Sequence, residues 1–153
     1  MNSGRRSLLR GSLSTVAISV AVAAGVLRPR AVAAAYMSSN LTDALRALQS
    51  TNPEFSNAIL LKAPAIAEDG ASVFIDCSCA LPDVDTMVFF VDRNPQPLIA
   101  AYHLAPEVVP SLQMRIKVSQ TAQVWAVVRS AGRFYKTAKT VKVTVGGCGS
   151  GLN

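Results

Sequence analysis

The sequence is poor in charged and aromatic residues and contains a single histidine. Charged residues make up 16% of its 153 residues and aromatic residues 6%. No cluster of Lys and Arg interleaved with aromatics occurs after the N-terminal segment, although a nucleic-acid-binding surface would need one. His103 has no partner in a Ser/His/Asp or Cys/His pattern. The sequence therefore indicates neither nucleic-acid binding nor a catalytic site.

The sequence also lacks an apolar run long enough to cross a membrane. Its longest such run, Leu13 to Leu27, has 15 residues, whereas a spanning helix needs about 20. The paired arginines Arg5 and Arg6 precede this run, and small residues at 31–33 and 33–35 follow it. This order is typical of an export signal, and paired arginines favour the twin-arginine (Tat) route. We predict a cleaved leader over residues 1–35 and a periplasmic protein with no stable membrane span.

Without the leader the chain carries little net charge. Five of its 15 basic residues lie in the predicted leader: Arg5, Arg6, Arg10, Arg28 and Arg30. Ten basic and nine acidic residues then remain, so the mature net charge is about +1. The high isoelectric point of the whole chain therefore comes from the leader.

Cysteine is scarce, with three residues in the chain: Cys77, Cys79 and Cys148. In an oxidising compartment an odd count leaves one thiol free or bonded to another chain. Cys77 and Cys79 lie two residues apart in a strand pattern, where the geometry does not favour closing a disulfide. We interpret them as two small buried residues. A metal site would need further ligands, for which the candidates are His103, Met87 and Met114.

The spacing of apolar residues predicts a short helix followed by strands. Leu41, Leu45 and Leu48 recur at helical spacing, and the helix should end before Pro53, with Asn40 or Thr42 as its cap. Apolar or alternating runs separated by turn residues follow: 59–61, 73–77, 87–91, 98–104, 112–118, 124–128 and 141–145. About seven short strands predict an all-β, immunoglobulin-like antiparallel β-sandwich over residues 36–145.

Two local expectations accompany this fold. Trp125, within an apolar run, is expected in the core of the sandwich. Asp83 and Asp85 follow Pro82 and are interpreted as turn residues and not as an acid/base pair.

The C-terminal segment, residues 146–153, has a different composition. Gly146, Gly147 and Gly149 surround Cys148, and glycine-rich segments of this kind are flexible. An extended chain from Val145 to Cys148 spans about 10 Å. An exposed thiol of pKa about 8.5 supplies a few per cent of nucleophilic thiolate at neutral pH. The pattern favours a flexible arm that carries cargo on Cys148, and a frayed terminus with an incidental cysteine is the alternative.

Several short motifs resemble one family. They are Leu61–Pro64 with Ile66–Gly70, Asn94–Leu98, Arg115–Lys117, Val127–Arg129, Gly132–Tyr135 and Val141–Gly149. Together they make the stretch from Ile59 to Cys148 similar to SoxY, the sulfur-compound carrier of the bacterial thiosulfate-oxidising (Sox) system.

The resemblance implies a carrier that is not itself an enzyme and needs no cofactor or metal. Cys148 would bear the cargo, and Gly146, Gly147 and Gly149 would supply a swinging arm. The implied partners are a second small β-sandwich subunit (SoxZ), a c-type cytochrome (SoxAX) that joins thiosulfate oxidatively to the cysteine, and a hydrolase (SoxB) that releases sulfate. Further partners would oxidise or remove the remaining sulfane sulfur.

The chain departs from the family pattern after the cysteine. The family arm usually ends in Gly-Gly, whereas residues 150–153 extend this one. Two alternatives to the carrier stay open: an immunoglobulin-like structural or binding module with an inert tail, and an exported metal carrier that uses Cys77, Cys79 and a methionine.

Overall fold

The computed structural model describes residues 29–50 and 52–144. The helices are α1 (Pro29–Tyr36) and α2 (Leu41–Ala47). The strands are β1 (Glu54–Phe55), β2 (Ile59–Lys62), β3 (Ile66–Ala67), β4 (Val73–Cys79), β5 (Val84–Val91), β6 (Leu98–His103), β7 (Ser111–Ile116), β8 (Ala122–Ser130) and β9 (Arg133–Val143). Within the described residues, none of the helices has the length and apolarity to cross a membrane. Most of the predicted leader and the whole predicted arm lie outside the described residues.

The strands form two sheets. The larger has the order β1-β9-β8-β5-β6, with β3 also paired to β9, and the smaller has the order β2-β4-β7. All pairs are antiparallel except β1 and β3, which run parallel to β9. Two mainly antiparallel sheets that enclose one core are the architecture of an immunoglobulin-like sandwich. Here the smaller sheet holds the first, second and fifth of the seven main strands, and the larger sheet holds the other four. The predicted fold class is confirmed.

The main core lies between the two sheets. In β4 the residues Val73, Ile75 and Cys77 are at most 2% exposed, whereas their neighbours face outward. From the larger sheet, Phe89 and Val128 also contribute fully buried side chains to this core. The strand predicted from the alternating residues 73–77, with one face buried, is therefore confirmed.

A second apolar cluster lies on the outer face of the larger sheet. Ala35 of α1 and Leu48, just after α2, pack with Phe90, Leu98 and other residues of that face. Both faces of β5 are thus buried, which explains why its sequence is continuously apolar from residue 87 to 91 and does not alternate. α2 begins as expected, because the Asn40 side chain accepts a 2.9 Å hydrogen bond from the Asp43 backbone N–H.

Two local expectations need correction. Trp125 is half-buried on the outer face of the larger sheet and not between the sheets, and its ring lies 6.3 Å from that of Phe55. Side chains alternate between the two faces of a strand, and the neighbours of Trp125 in β8 face the core, so Trp125 faces outward. Asp83 occupies a turn with φ 48°, as expected, but Asp85 lies in β5 and accepts a 2.7 Å hydrogen bond from Arg129 Nε.

Candidate functional site

The end of β9 and the next residue, Thr144, are held by hydrogen bonds to two other segments. The Thr144 backbone N–H donates to the carbonyl oxygen of Ala67 in β3 at 3.0 Å. The N–H of Val143 donates to Thr121 Oγ1 at 3.1 Å. The position of Thr144, to which residue 145 is joined, is therefore fixed by two neighbouring segments. Cys148 lies four residues beyond Thr144, so its backbone can reach at most about 13–14 Å from that point.

Two loops, one containing Gly70 and the other Val118, are in close contact beside the end of β9. The Val118 N–H donates to the Gly70 carbonyl oxygen at 2.7 Å. A Cβ atom at residue 70 would overlap the Val118 carbonyl oxygen and would lie 3.0 Å from Val143 Cγ1. Glycine is therefore required at this contact, which lies against Val143, the last residue of β9.

The surface beside Thr144 carries charges of both signs. A shallow groove there is lined by Glu68, Asp69, Lys117 and Ser119, among other residues. Two carboxylates and one ammonium group give no excess of positive charge, which is what would stabilise a thiolate. This groove therefore offers no excess of positive charge to a thiolate on the adjoining segment.

The two cysteines of the body are buried and unpaired. Cys77 is 0% exposed and Cys79 9%. Burial, followed by the nearby Cys79 and Asp76, raises the pKa of the Cys77 thiol to about 12. Burial also raises the pKa of Cys79, although a hydrogen bond with the Leu81 backbone acts in the opposite direction. Both thiols are thus neutral and shielded at physiological pH, which confirms their interpretation as small buried residues.

The candidate metal ligands occupy different environments. Met87 is fully buried, Met114 is half-buried and His103 is exposed at the end of β6. Within residues 29–50 and 52–144, no group of three or more His, Cys, Asp or Glu side chains could hold a metal ion.

The residues assigned to the arm lie outside the described residues. Cys148, Gly146, Gly147 and Gly149 therefore keep the roles given by the sequence as predictions. The structure adds the anchoring by β3 and the contact between Gly70 and Val118, neither of which the sequence indicates. The Asp69-Gly70 turn signal marks this loop but gives no indication of its partner, which lies 48 residues away.

Comparisons with known proteins agree on one relationship. The family model of the sulfur oxidation protein SoxY matches residues 45–148. The sulfur carrier protein SoxY from Chlorobium limicola f thiosulfatophilum superposes with a TM-score of 0.64 at 32% identity, covering 71% of this chain and 96% of that protein. A superoxide reductase (neelaredoxin) from Ignicoccus hospitalis shares the fold at a TM-score of 0.51 and 12% identity, covering 57% of this chain and 81% of that protein.

A comparison with curated protein sequences found no match. The family match nevertheless spans well over half of the chain, and the Chlorobium protein is aligned over almost its whole length. This chain belongs to the SoxY family of sulfur oxidation proteins.

Proposed function

We propose that this chain is a carrier of sulfur compounds in thiosulfate oxidation and that it holds its cargo covalently on Cys148. The observation that carries this proposal is the match to the SoxY family, which extends to residue 148 and so includes the cysteine. The Chlorobium relative is itself a sulfur carrier protein. The chain serves as a substrate carrier and not as an enzyme.

The chemistry of the body thiols supports the choice of Cys148. Covalent attachment needs a thiolate that another protein can reach. Cys77 and Cys79 fail on both counts, because they are buried and their pKa values are raised. Cys148 follows two glycines, so the link between the body and the thiol carries no bulky side chain. Such a link suits entry into a narrow channel of a partner enzyme.

The attachment step is an oxidation. The sulfur of Cys148 and the terminal sulfur of thiosulfate form an S–S bond, and the thiol proton is released. Two electrons leave, for which a c-type cytochrome such as SoxAX is the acceptor. The mixed charge of Glu68, Asp69 and Lys117 beside Thr144 provides little local activation, so the partner's site supplies the environment that favours the thiolate.

The later steps are hydrolytic or oxidative and occur on partner proteins. Water attacks the terminal sulfone, sulfate and a proton leave, and a persulfide remains on Cys148; a SoxB-like hydrolase would perform this step. Other partners then oxidise or remove the sulfane sulfur. We infer that a SoxZ-like β-sandwich subunit accompanies the chain, and that both work in the periplasm after export by the twin-arginine route.

A reconstituted thiosulfate-oxidising system tests the proposal. Replacing Cys148 by Ala should abolish thiosulfate-dependent electron transfer to cytochrome, because the attachment atom is removed while the fold stays intact. Cys79→Ala is the matched control, since it removes a buried thiol and should keep most of the activity. Full activity of the Cys148→Ala protein would contradict the proposal and would favour the module with an inert tail.

A further inference from the structure

The distance from the body to the attachment point limits where a partner enzyme can bind. Whatever path residues 145–147 take, the Cα atom of Cys148 lies at most about 13–14 Å from that of Thr144. An enzyme that receives the thiol in a channel takes up part of this length inside its own surface. Such an enzyme must therefore contact the body of the carrier at the surface around Thr144.

The chain just before and within β3 borders Thr144 directly. The Ala67 carbonyl oxygen accepts a 3.0 Å hydrogen bond from the Thr144 N–H, and the Ala65 carbonyl oxygen accepts one of 2.9 Å from the Lys142 N–H. Ala67 thus lies one strand spacing, about 4.8 Å, from the end of β9. Pro64, three residues earlier, is at most about 10–11 Å from Ala67. This stretch therefore belongs to the surface that an enzyme holding the cargo thiol must contact.

The side chains along this stretch are apolar and exposed. Ile66 in β3 is 59% exposed, and Pro64 is exposed as well. Phe74 in β4 is 47% exposed, and together with Ala63 and Pro64 it lines a shallow hollow of about 350 Å³. An aromatic ring and aliphatic side chains are thus exposed together at the end of the sandwich that carries the arm. Apolar surface grouped in this way marks an interaction site.

The hollow has a polar rim. Lys62 Nζ lies 3.3 Å from Asp76 Oδ2, across the pair of β2 and β4, so these two charges balance. Arg115, which faces Phe74 from β7, donates a 3.3 Å hydrogen bond to Ser72 Oγ. An apolar centre within a polar border is the usual composition of a protein–protein interface. The surface therefore suits an apolar patch of a protein and not the anionic sulfur compounds themselves.

We propose that the hydrolase that acts on loaded Cys148 docks on the apolar platform beside the arm, through an apolar rim around the mouth of its channel. The apolar platform consists of four residues: Ala63, Pro64, Ile66 and Phe74. The proposal rests on the carrier function proposed above and adds the surface by which the enzyme recognises the carrier. Docking here sets Thr144 beside the channel mouth, so that a link of three residues is long enough to deliver the thiol.

Tetrathionate loads the purified full chain without any partner protein, so the test does not depend on the cytochrome. The Cys148 thiol loses its proton to the buffer, and the thiolate attacks a central sulfur of tetrathionate. A new S–S bond forms, the central S–S bond of tetrathionate breaks, and thiosulfate leaves. The adduct is the one that the oxidative attachment of thiosulfate gives. Peptide mass spectrometry verifies the loading, and the buried Cys77 and Cys79 should stay unmodified.

Sulfate release by a SoxB-like hydrolase, measured against the concentration of loaded carrier, tests the proposal. Phe74→Ser should raise KM roughly tenfold at unchanged kcat, because it removes a docking contact that is the same before and during the reaction. Phe55→Ser is the matched control. Phe55 is 70% exposed, but its partner in β9, Lys136, precedes Thr144 by about 26 Å of strand, at about 3.3 Å per residue. The control variant should keep the wild-type KM.

The outcomes separate the docking proposal from the carrier function. An unchanged KM for Phe74→Ser, with the wild type turned over, overturns the docking proposal alone. A wild-type chain that is loaded on Cys148 but never hydrolysed contradicts the carrier function and the docking proposal together. If Phe74→Ser abolishes binding of a SoxZ-like subunit, the platform belongs to that subunit and the docking proposal is overturned.

Hydroxyl-radical footprinting of the wild-type carrier gives a second test that requires no folded variant. When the hydrolase is added at a saturating concentration, the oxidation of Ile66 and Phe74 should fall several-fold, because docking excludes water from both side chains. The oxidation of Phe55 should not change. Equal oxidation of Phe74 with and without the hydrolase overturns the proposal.

Discussion

The thiols of Cys77 and Cys79 are unreactive because both side chains lie on the buried face of β4. Both side chains point between the sheets, with Ser78 between them directed outward. Because both cysteines are part of the core, their thiols stay protonated, since a buried thiolate lacks the solvation that stabilises its charge. Cys77 and Cys79 are thus less reactive than free thiols in an exported protein would ordinarily be.

The raised pKa of Cys77 predicts a pH dependence of stability. Its pKa rises from an ordinary value of 9.0 to about 12 in the folded protein. The unfolded chain therefore releases this proton first, so the stability due to the neutral thiol is complete below pH 9 and is lost as the pH rises towards 12. Relative to Cys77→Ala, the wild-type free energy of unfolding should fall by up to about 1.4 kcal/mol per pH unit in this window.

Urea unfolding at pH values on both sides of 9 measures this difference. Ser78→Ala is the control, because it changes the same strand and keeps the buried thiol, so it should follow the wild type. Parallel pH profiles for the wild type and Cys77→Ala would show that burial does not control this thiol.

Individual elements differ in how far their sequence predicts them. α2 and β4 are predictable because their apolar residues recur at the helical and strand periods. β1 and β3 have two residues each, too few to show any period, and their parallel pairing with β9 depends on contacts distant in sequence. α1 is not predicted, because its alanine-rich sequence lies in the segment interpreted as the end of the leader.

Gly70 is the residue on which the loop contact beside the arm depends most directly. Gly70→Ala places a Cβ against the Val118 carbonyl oxygen, so it should cost about 1–3 kcal/mol and lower the melting temperature by roughly 4–12 °C. Gly132→Ala is the control. It meets no atom within 4 Å but has φ 76°, and should cost only about 1 kcal/mol for the left-handed backbone. Equal losses in thermal unfolding would contradict the steric account.

At the scale of the whole molecule, the sequence is sufficient to predict the sandwich and the family. The alternating runs predict most main strands, and the motifs around Val141–Gly149 by themselves indicate SoxY. The sequence cannot show which edge is open or how the last strand is anchored. Both depend on which strands meet in space, and the hydrogen bond from Thr144 to Ala67 spans 77 residues. The positions of Cys148 and its glycines stay predictions.

The extension beyond the cysteine should be dispensable for the carrier. Residues 150–153 follow the attachment point, whereas the link to the body is residues 145–147. We expect a chain trimmed of these four residues to support thiosulfate-dependent electron transfer as well as the full chain, with Cys148→Ala as the inactive reference. Complete loss of activity on trimming would show that the extension has a role of its own with a partner.

The covalent state of Cys148 in protein isolated from thiosulfate-oxidising cells tests the central claim most directly. Peptide mass spectrometry without reduction should find sulfur adducts, such as a thiosulfonate or a persulfide, on the peptide that contains residue 148, and unmodified thiols at Cys77 and Cys79. An unmodified Cys148 in every sample, or the same adducts on the two buried cysteines, would contradict the account.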